Sequence, residues 1–485
     1  MKHSTRRGRR SAGDQVVEDL KTADRFPVGD PRRSAAQRRV ARRVADDISV
    51  ADDPRLAGMR AQLRQWAHFA PHLLSDEQET ALAREGRAVV DEQLQRLRSL
   101  ETESATSLSA ADDALRNLDA EASADRQHAD IATHAVTDLR APLTASVLGT
   151  LAACHLADDR LRSIDDWRTR FAVVQGTTPA TLAALRDATH DARGLAAQWW
   201  SVRSGVVGGE YCDRRVGLPA PAGTLEAHSR AAAAALARAV PSLADTARHA
   251  SGRIVHGADN QVVIEADGRI SVTVAHRPTP RGSLMVAHEI GHALHALESA
   301  SPEPPGALVG ETIACWASFV TGQCGVDDSQ SAAMALALGD TLVEELFISA
   351  AVSAFEDSVY ELAAGGRPIS VAQLDAAWLR ANRDVLPGVV VPDLVGSGWA
   401  RLPALATDPG HAFSYVWATV LALAISTRHG SDENGTVARA IRAGGVAADE
   451  FTALLGFDGD EWIALGLSSL EAELTHLAHV VSASQ

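Results

Sequence analysis

The spacing of apolar residues is typical of α-helices over most of the chain. Apolar residues recur with helical spacing across residues 52–200, where Ser75 followed by Gln78 forms a capping-box pattern that starts one helix. Helical spacing resumes at residue 283 and continues almost to residue 485, interrupted by one turn-rich segment at 387–410. We therefore predict a mainly α fold.

One short region has the composition of β-strands instead. β-branched residues dominate Val262–Glu265 and Ile270–Ala275, and Ala266–Arg269 between them reads as a turn. This pattern predicts a β-hairpin immediately before the next helical segment.

Glycine and proline clusters suggest where the chain divides. Gly205–Gly209 and Leu218–Gly223 mark a hinge, after which a helix is predicted from about Thr224 to Val240. We therefore expect an N-terminal arm (residues 1–51), an N-terminal helical domain (residues 52–204) and a C-terminal domain (residues 205–485).

Charge separates the N-terminal arm from the rest of the chain. The formal net charge is -16, yet Met1–Arg43 contains 13 Lys or Arg against 5 Asp or Glu. Such an arm could anchor nucleic acid or an anionic membrane, or it could be a solvated, disordered extension. We favour the disordered extension because the arm has little apolar content to contribute to a core.

Cysteine usage and hydropathy bear on the compartment. The four cysteines, Cys154, Cys212, Cys315 and Cys324, show no CxxC spacing, so neither a disulfide framework nor a zinc ribbon is indicated. No apolar leader follows the basic start, and the longest apolar run, Val416–Ile425, is too short to cross a bilayer. We expect a cytoplasmic protein that does not enter a membrane.

The chemistry of the chain is concentrated in His288-Glu289-Ile290-Gly291-His292. Histidines at positions i and i+4 lie on one face of a helix, so both imidazoles can bind one zinc ion. Glu289 lies beside the first histidine, where it can act as general base toward a water molecule at the metal. Gly291 lets this helix pack closely against a neighbour.

Catalytic zinc usually has three protein ligands, so a third ligand is expected downstream. The acidic candidates are Glu298, Glu303, Glu311, Asp327 and Asp328. Glu311 is the best of them because it follows Gly310 and opens a new helical pattern rich in small residues. The alternative for Glu311 is a carboxylate that only stabilises a helix N-terminus.

Two residues near these ligands are predicted to have structural roles. His295, close to one turn after His292, is expected to brace the helix because the ligand set is already complete. Cys315, one turn after Glu311, is expected to be a buried core cysteine rather than a ligand.

The run Met285–His295, with a glutamate opening the second helix, resembles the M3 family of metallopeptidases, and the oligoendopeptidase F branch is nearest. Ser353–Leu362, Val395–Pro403 and Tyr415–Thr419 are similar to later segments of that branch. The resemblance covers roughly Tyr211 to His479.

This resemblance implies a large helical metallopeptidase fold with a deep substrate channel and a small β-hairpin or sheet beside the metal helix. It implies one zinc ion per chain, with His288, His292 and Glu311 as ligands and Glu289 as base. It also implies that residues 270–275 form an edge strand that holds an extended peptide.

A histidine and a tyrosine from the late segment would stabilise the oxyanion in such an enzyme. Where the branch places the histidine, this chain has Ala404, and the nearest histidine is His411; the tyrosine is Tyr415. The alternative is that both residues only cap and pack the last helices. Glu356 is a further candidate, as the carboxylate that holds a ligand histidine by its other ring nitrogen.

These observations favour a zinc-dependent endopeptidase that hydrolyses short or unfolded peptides. Two other classes stay open. One is a catalytically silent scaffold of the same fold that binds peptides; the other is a protein that binds anionic polymers through its N-terminal arm, the one feature that hints at nucleic acid.

Overall fold

The structure is a computed structural model. It describes residues 11–25, 31–53, scattered residues between 55 and 99, and then residues 123–209, 213, 216–257, 260–264, 270–299, 307–329, 331–385, 393–402, 405 and 408–483.

Helices dominate the described residues, which confirms the predicted fold class. The helices before the sheet are α1 (Ala12–Asp24), α2 (Pro31–Asp46), α3 (Ser123–Leu161), α4 (Trp167–Gln175), α5 (Pro179–Asp191), α6 (Gly194–Val207), α7 (Leu225–Ala239) and α8 (Ala244–Ser251). The strands are β1 (Ile254–His256), β2 (Gln261–Ile264) and β3 (Ile270–Val274). The helices after the sheet are α9 (Pro280–Glu298), α10 (Ala307–Ser329), α11 (Ala332–Val343), α12 (Ser349–Ala364), α13 (Val371–Val385), α14 (His411–His429), α15 (Thr436–Arg442), α16 (Ala448–Leu454) and α17 (Glu461–Ser482).

Shorter helical segments connect several of these helices. They include the 3₁₀ segments Ile48–Asp52, Ala70–His72, Pro241–Leu243 and Asp393–Arg401, and a π-helical turn, Glu344–Ile348, joins α11 to α12.

Two local sequence signals are confirmed in the backbone. The amide of Ser75 donates to Gln78 Oε1 at 3.1 Å and the amide of Gln78 donates to Ser75 Oγ at 3.2 Å, which is the predicted capping box. Thr224 caps α7 by accepting from the amide of Ala227, so this helix begins where the sequence predicted.

The described part of the N-terminal arm is helical, so the expectation of disorder is wrong there. Val16 of α1 and Val40 of α2 are fully buried in one small core, and Asp19 accepts from the Arg39 side chain at 2.9 Å. Each helix alone has little apolar surface. Together they cover each other, and acidic side chains of α1 offset the positive charge of α2.

The predicted hairpin forms, but its second strand is not an edge strand. β2 pairs antiparallel with β3, from Gln261 opposite Thr273 to Ile264 opposite Ile270. β1 pairs parallel with the other side of β3, so the strand order is β1-β3-β2 and β3 lies in the centre. The prediction that residues 270–275 offer a free edge is therefore wrong. The hydrogen-bonding groups on that side of β3 are already taken by β1.

Two long helices after the sheet pack unusually close together. A Cβ added at Gly291 of α9 would lie 2.7 Å from Ala314 Cα and 2.8 Å from the Ile313 carbonyl oxygen of α10. The Ser318 hydroxyl of α10 donates to the Leu284 carbonyl of α9 at 2.8 Å, which ties the pair together within the core. The absence of a side chain at Gly291 therefore allows the two helices to lie this close together.

Buried residues on both sides of the expected boundary at 204/205 lie in one hydrophobic core. Trp199 of α6 packs against Gly339 of α11, and its indole N–H donates to Asp340 at 2.9 Å. The hinge segment therefore does not separate two cores. None of the helices that the structure describes is both long and apolar enough to span a bilayer.

Candidate functional site

Helix α9 places the two predicted histidine ligands side by side. Thr279 caps the helix by accepting from the Gly282 amide, and Pro280 occupies its first turn. The helix is therefore already formed before the motif begins at His288. His288 Nε2 and His292 Nε2 lie 3.2 Å apart. One helical turn thus directs both ring nitrogens at the same point, as the sequence predicted.

Helix α10 supplies the predicted third group. Glu311 Oε2 lies 3.3 Å from His288 Nε2 and 3.7 Å from His292 Nε2. This approach depends on the close packing of α9 and α10 at Gly291, because Glu311 begins the turn of α10 that contacts that glycine.

The three side chains fit a zinc ion by their chemistry and arrangement. Their ligand atoms all lie within 4.8 Å of one another. Glu311 Oε2 is buried, and among the described residues it has no hydrogen-bond partner of acceptable geometry. An unsatisfied buried carboxylate oxygen is costly unless something else neutralises it. Two imidazoles and one carboxylate form a donor set typical of catalytic zinc, so these residues fit such an ion.

Glu289 lies in the wall of the same site. It is 6% exposed, and burial raises the pKa of its carboxyl group, as does the charge of Glu311, whereas His288 acts in the opposite direction. A carboxylate that is not held by a cation and has a raised pKa accepts a proton more readily than an ordinary glutamate does.

Helix α14 brings the two predicted late residues to the metal helix. The Tyr415 ring stacks on the His288 ring with centroids 6.2 Å apart, and the His411 ring meets Tyr415 edge-on at 5.3 Å. Both residues line the same cavity as the three predicted ligands. The structure thus brings together the three predicted ligands, Glu289 and both late residues around one cavity.

The protonation of these two groups suits hydrogen-bond donation. Burial raises the pKa of Tyr415, so its hydroxyl keeps its proton at neutral pH. The hydrogen bond to Asp408 raises the pKa of His411, and its Nδ1 lies 3.4 Å from Asp408 Oδ2.

A cavity of about 1050 Å³ opens onto these side chains. Part of its wall is strand β2 with the residue before it, and the rest comes from α9, α10, α11, α12, α14, the π-helical turn and the segment before α14. Besides the site residues, its lining includes polar side chains, among them Asn260, Gln261, Arg281, Glu344 and Asp408, and apolar side chains, among them Val262, Val263, Leu284, Met285, Ile348, Val352, Leu402 and Leu405. The cavity therefore presents both apolar surface and polar groups to a ligand.

Glu356 has a different role from the one predicted. Its two carboxylate oxygens accept from the Gly410 amide at 3.0 and 3.2 Å, and the side chain is 2% exposed. It therefore fixes the N-terminus of α14, one residue before His411. Our expectation that Glu356 holds a ligand histidine is wrong.

The other acidic candidates do not compete with Glu311. Glu298 contacts Thr246 and Arg442, with its Oε2 2.7 Å from Arg442 Nε. Asp327 lies near the end of α10, about 24 Å along the helix from Glu311, and Asp328 follows it. Glu303 lies outside the described residues.

His295 and Cys315 are both buried, as expected of residues that support the site without binding the metal. His295 is 1% exposed, and burial lowers its pKa to about 3, so the ring is neutral within the core. Cys315 is buried, and burial raises its thiol pKa.

Sequence reasoning missed one acidic residue, Glu345. It lies in the π-helical turn and lines the cavity, and one of its carboxylate oxygens is within 4.8 Å of both a His288 ring nitrogen and Cys315 Sγ. A signal was present, because Glu344 and Glu345 interrupt an otherwise apolar stretch, and a carboxylate in such a stretch needs a reason.

Comparison with known proteins at the level of sequence identifies no relative. No family model matches the chain, and no curated protein matches it.

Comparison of structures gives a different result. Oligoendopeptidase F from Enterococcus faecium superposes with a TM-score of 0.67 at 15% identity, over 97% of this chain and 91% of that chain. A candidate peptidase from Chlamydophila abortus gives a TM-score of 0.74 at 15% identity, over 93% and 82% of the two chains. PZ peptidase A, solved with an inhibitor, gives 0.66 at 15% identity, over 96% and 97%.

Proposed function

We propose that the protein is a zinc-dependent endopeptidase that hydrolyses short or unfolded peptides. The solved structures above share the mainly α fold of oligoendopeptidase F with this chain, as the resemblance predicted. The observation that carries the proposal is local: His288, His292 and Glu311 converge on one point, with Glu289 beside them in the wall of a large cavity. All three of the similar structures are named as peptidases, which supports the same chemistry.

His288, His292 and Glu311 would hold the zinc ion. When bound, zinc supplies a Lewis acid that polarises the scissile carbonyl and makes water a stronger acid. The remaining steps belong to side chains of the chain itself.

Glu289 moves the proton. Its carboxylate accepts a proton from the attacking water, and the resulting carboxylic acid gives that proton to the nitrogen of the leaving amine. The raised pKa of Glu289 serves both halves of this cycle, since the group must bind the proton and then release it.

Tyr415 and His411 stabilise the carbonyl oxygen as it gains negative charge. Both are hydrogen-bond donors at neutral pH, by the protonation described above, and both lie on the first turns of α14 beside His288. Donors aimed at developing charge act mainly in the transition state.

Strand β2 is the element suited to hold the substrate backbone. Within the described sheet β2 is paired on one side only, and its residues Gln261–Val263 line the cavity. An extended peptide can add to such an edge through main-chain hydrogen bonds. The binding role that the sequence gave to residues 270–275 thus passes to their partner strand.

The test measures metal and turnover in the same preparations. Wild-type protein should contain one zinc per chain and cleave members of a quenched fluorescent peptide library, and a chelator should abolish cleavage until zinc is restored. Glu289→Gln should keep its zinc and lose several orders of magnitude in kcat, because an amide cannot accept the proton. Glu311→Ala should lose zinc.

The controls separate the competing functions. A zinc-loaded wild-type protein that binds peptides without cutting them would identify a silent scaffold. Zinc content unchanged in Glu311→Ala would remove Glu311 from the ligand set, and near-wild-type cleavage by Glu289→Gln would refute the assignment of the base.

A further inference from the structure

The π-helical turn Glu344–Ile348 places two adjacent glutamates in different environments. Glu344 pairs with Arg281 of α9, with oxygen and nitrogen atoms 3.0 Å apart in one of its contacts. Glu345 points into the protein toward the metal helix instead. Single π-turns within helices occur frequently at functional sites.

Glu345 meets all three helices that carry the proposed catalytic groups. From α9 it approaches His288, and from α10 it approaches Cys315, one turn after Glu311. From α14 it accepts a hydrogen bond from the Thr419 hydroxyl at 3.5 Å, one turn after Tyr415. One carboxylate therefore lies close to all three of these helices.

His288 leaves one ring nitrogen for such a partner. Its Nε2 is the atom nearest to His292 and Glu311, on the side where the metal would lie. A histidine that binds metal through one nitrogen carries a proton on the other, and this N–H requires an acceptor when it is buried. Glu345 is a half-buried carboxylate beside this ring, and no step of the proposed mechanism uses it.

We propose that Glu345 is a positioning residue whose carboxylate accepts the N–H of His288 that faces away from Glu311, and so fixes the ring for zinc binding. The inference rests on the zinc site proposed above. The distance of up to 4.8 Å among these atoms is closed by a small rotation of the carboxylate or by a bridging water. The negative charge of Glu345 also makes the His288 ring a stronger donor to a cation.

The expected effect is on metal affinity. Substituting Glu345→Gln keeps the size of the side chain but removes the charge, and partners in this layer typically change metal affinity by about 10- to 100-fold. Glu345→Asp keeps the charge and should recover part of the loss. Glu344→Gln is the matched control, because the carboxylate of Glu344 pairs with Arg281. The zinc affinity of this variant should stay within about twofold of wild type.

The experiment uses the full chain and needs no substrate. Metal-free proteins are titrated with zinc against a competing chelator, and their cobalt complexes are compared by visible absorption. We expect weaker zinc binding and a shifted cobalt spectrum for Glu345→Gln, with the melting temperature of the metal-free protein close to wild type. Equal zinc affinity and an equal cobalt spectrum in Glu345→Gln would overturn the proposal.

A second variant covers poor folding of Glu345→Gln. Thr419→Val has the same shape but removes the hydroxyl that holds the carboxylate, so zinc should bind more weakly, by a smaller factor. Zinc affinity unchanged in both Thr419→Val and Glu345→Asp would also overturn the proposal. Absence of zinc from the wild-type protein would instead refute the proposed function, so the two failures are distinguishable.

Discussion

Two carboxylates raise the pKa of His411, the exposed Asp408 first and the buried Glu311 after it. Asp408 lies three residues before His411, with its Oδ2 3.4 Å from Nδ1, and this contact is the first cause of the raised pKa of the imidazole. A raised pKa means that the charged, donating form of His411 persists to higher pH. It is lost as the pH rises through that pKa.

Substituting Asp408→Asn should therefore move the alkaline limb of kcat/KM to lower pH, because His411 loses its proton earlier. The measurement is a pH profile of peptide cleavage for both proteins. Asp384→Asn is a control, since Asp384 pairs with His190 on the surface at 3.5 Å. Identical alkaline limbs in wild type and Asp408→Asn would show that His411 does not govern turnover.

Tyr415→Phe should lower kcat more than it raises KM. The ring, which stacks on His288, is retained, so the shape of the cavity and the position of His288 should not change. Only the hydroxyl that donates in the transition state is lost, at a cost of about 10²- to 10³-fold in kcat. Steady-state kinetics decide this, and a rise in KM alone would place Tyr415 in the binding wall.

At the scale of residues, the sequence predicts those site residues whose positions follow from helical spacing. His288 and His292 follow from one helical turn. Glu311 was found as an acidic residue among small ones, although its helix already begins at Ala307 and not at Glu311. Glu345 left only a weak signal, a pair of glutamates in an apolar stretch, because its position depends on a π-turn that no periodicity reveals. Glu356 was assigned the wrong partner because the Gly410 amide comes near it only through packing of α12 and α14.

Among the elements, the pairing of α9 with α10 determines the geometry of the proposed metal site. Gly291 lies where the two backbones approach most closely, so the separation of Glu311 from both histidines depends on a missing side chain.

Gly291→Ala should weaken zinc binding substantially, although alanine favours helix formation. The new methyl group would meet backbone of α10 at 2.7 Å, so the helices must move apart and carry Glu311 away. Gly205→Ala in α6 is the matched control, since a Cβ there meets nothing within 4 Å. We expect that control to be neutral or slightly stabilising. Zinc titration and thermal unfolding of both variants check the prediction, which fails if Gly291→Ala binds zinc like wild type.

The sequence predicted the type of each helix or strand better than it predicted which of them pack or pair with each other. Composition predicted the β2–β3 hairpin, but the parallel partner β1 is three residues long and carries no pattern of its own. The helices α1 and α2 were missed for a similar reason. Neither has enough apolar residues alone, and their shared core exists only in the packed pair.

Removing Met1–Arg43 should therefore harm the protein, in contrast to what a disordered arm would predict. The deletion takes away α1 and most of α2 and uncovers Val50, Leu56 and Leu63, each less than a tenth exposed. We expect greater binding of a hydrophobic dye and lower solubility. Removal of residues 1–10 alone, which leaves α1 in place, is the control. Equal dye binding by all three proteins would show that this small core is dispensable.

At the scale of the whole molecule, we expect the cavity to select substrates by conformation. The proposed zinc site lies in the wall of a cavity of about 1050 Å³, a volume that suits a short stretch of peptide and is too small for a packed domain. A folded protein would have to open locally before its backbone could reach Glu289.

Peptides and an unfolded protein such as casein should be cleaved, and a stably folded domain should resist. The sharpest control is the same domain carrying a destabilising core substitution, which should become a substrate in proportion to its unfolded fraction. Mass spectrometry of the products identifies each cut. Rapid internal cleavage of the stable domain would indicate an open cleft.

The shortness of the two edge strands also bears on how copies of this protein behave in a crowded solution. An unpaired strand edge is a template on which other sheets can grow, and exposed edges are a common origin of aggregation. Within the described sheet one edge strand, β2, is four residues long and the other, β1, is three residues long. Such short edges offer little template to a second sheet, although β2 is long enough to hold a few residues of a peptide.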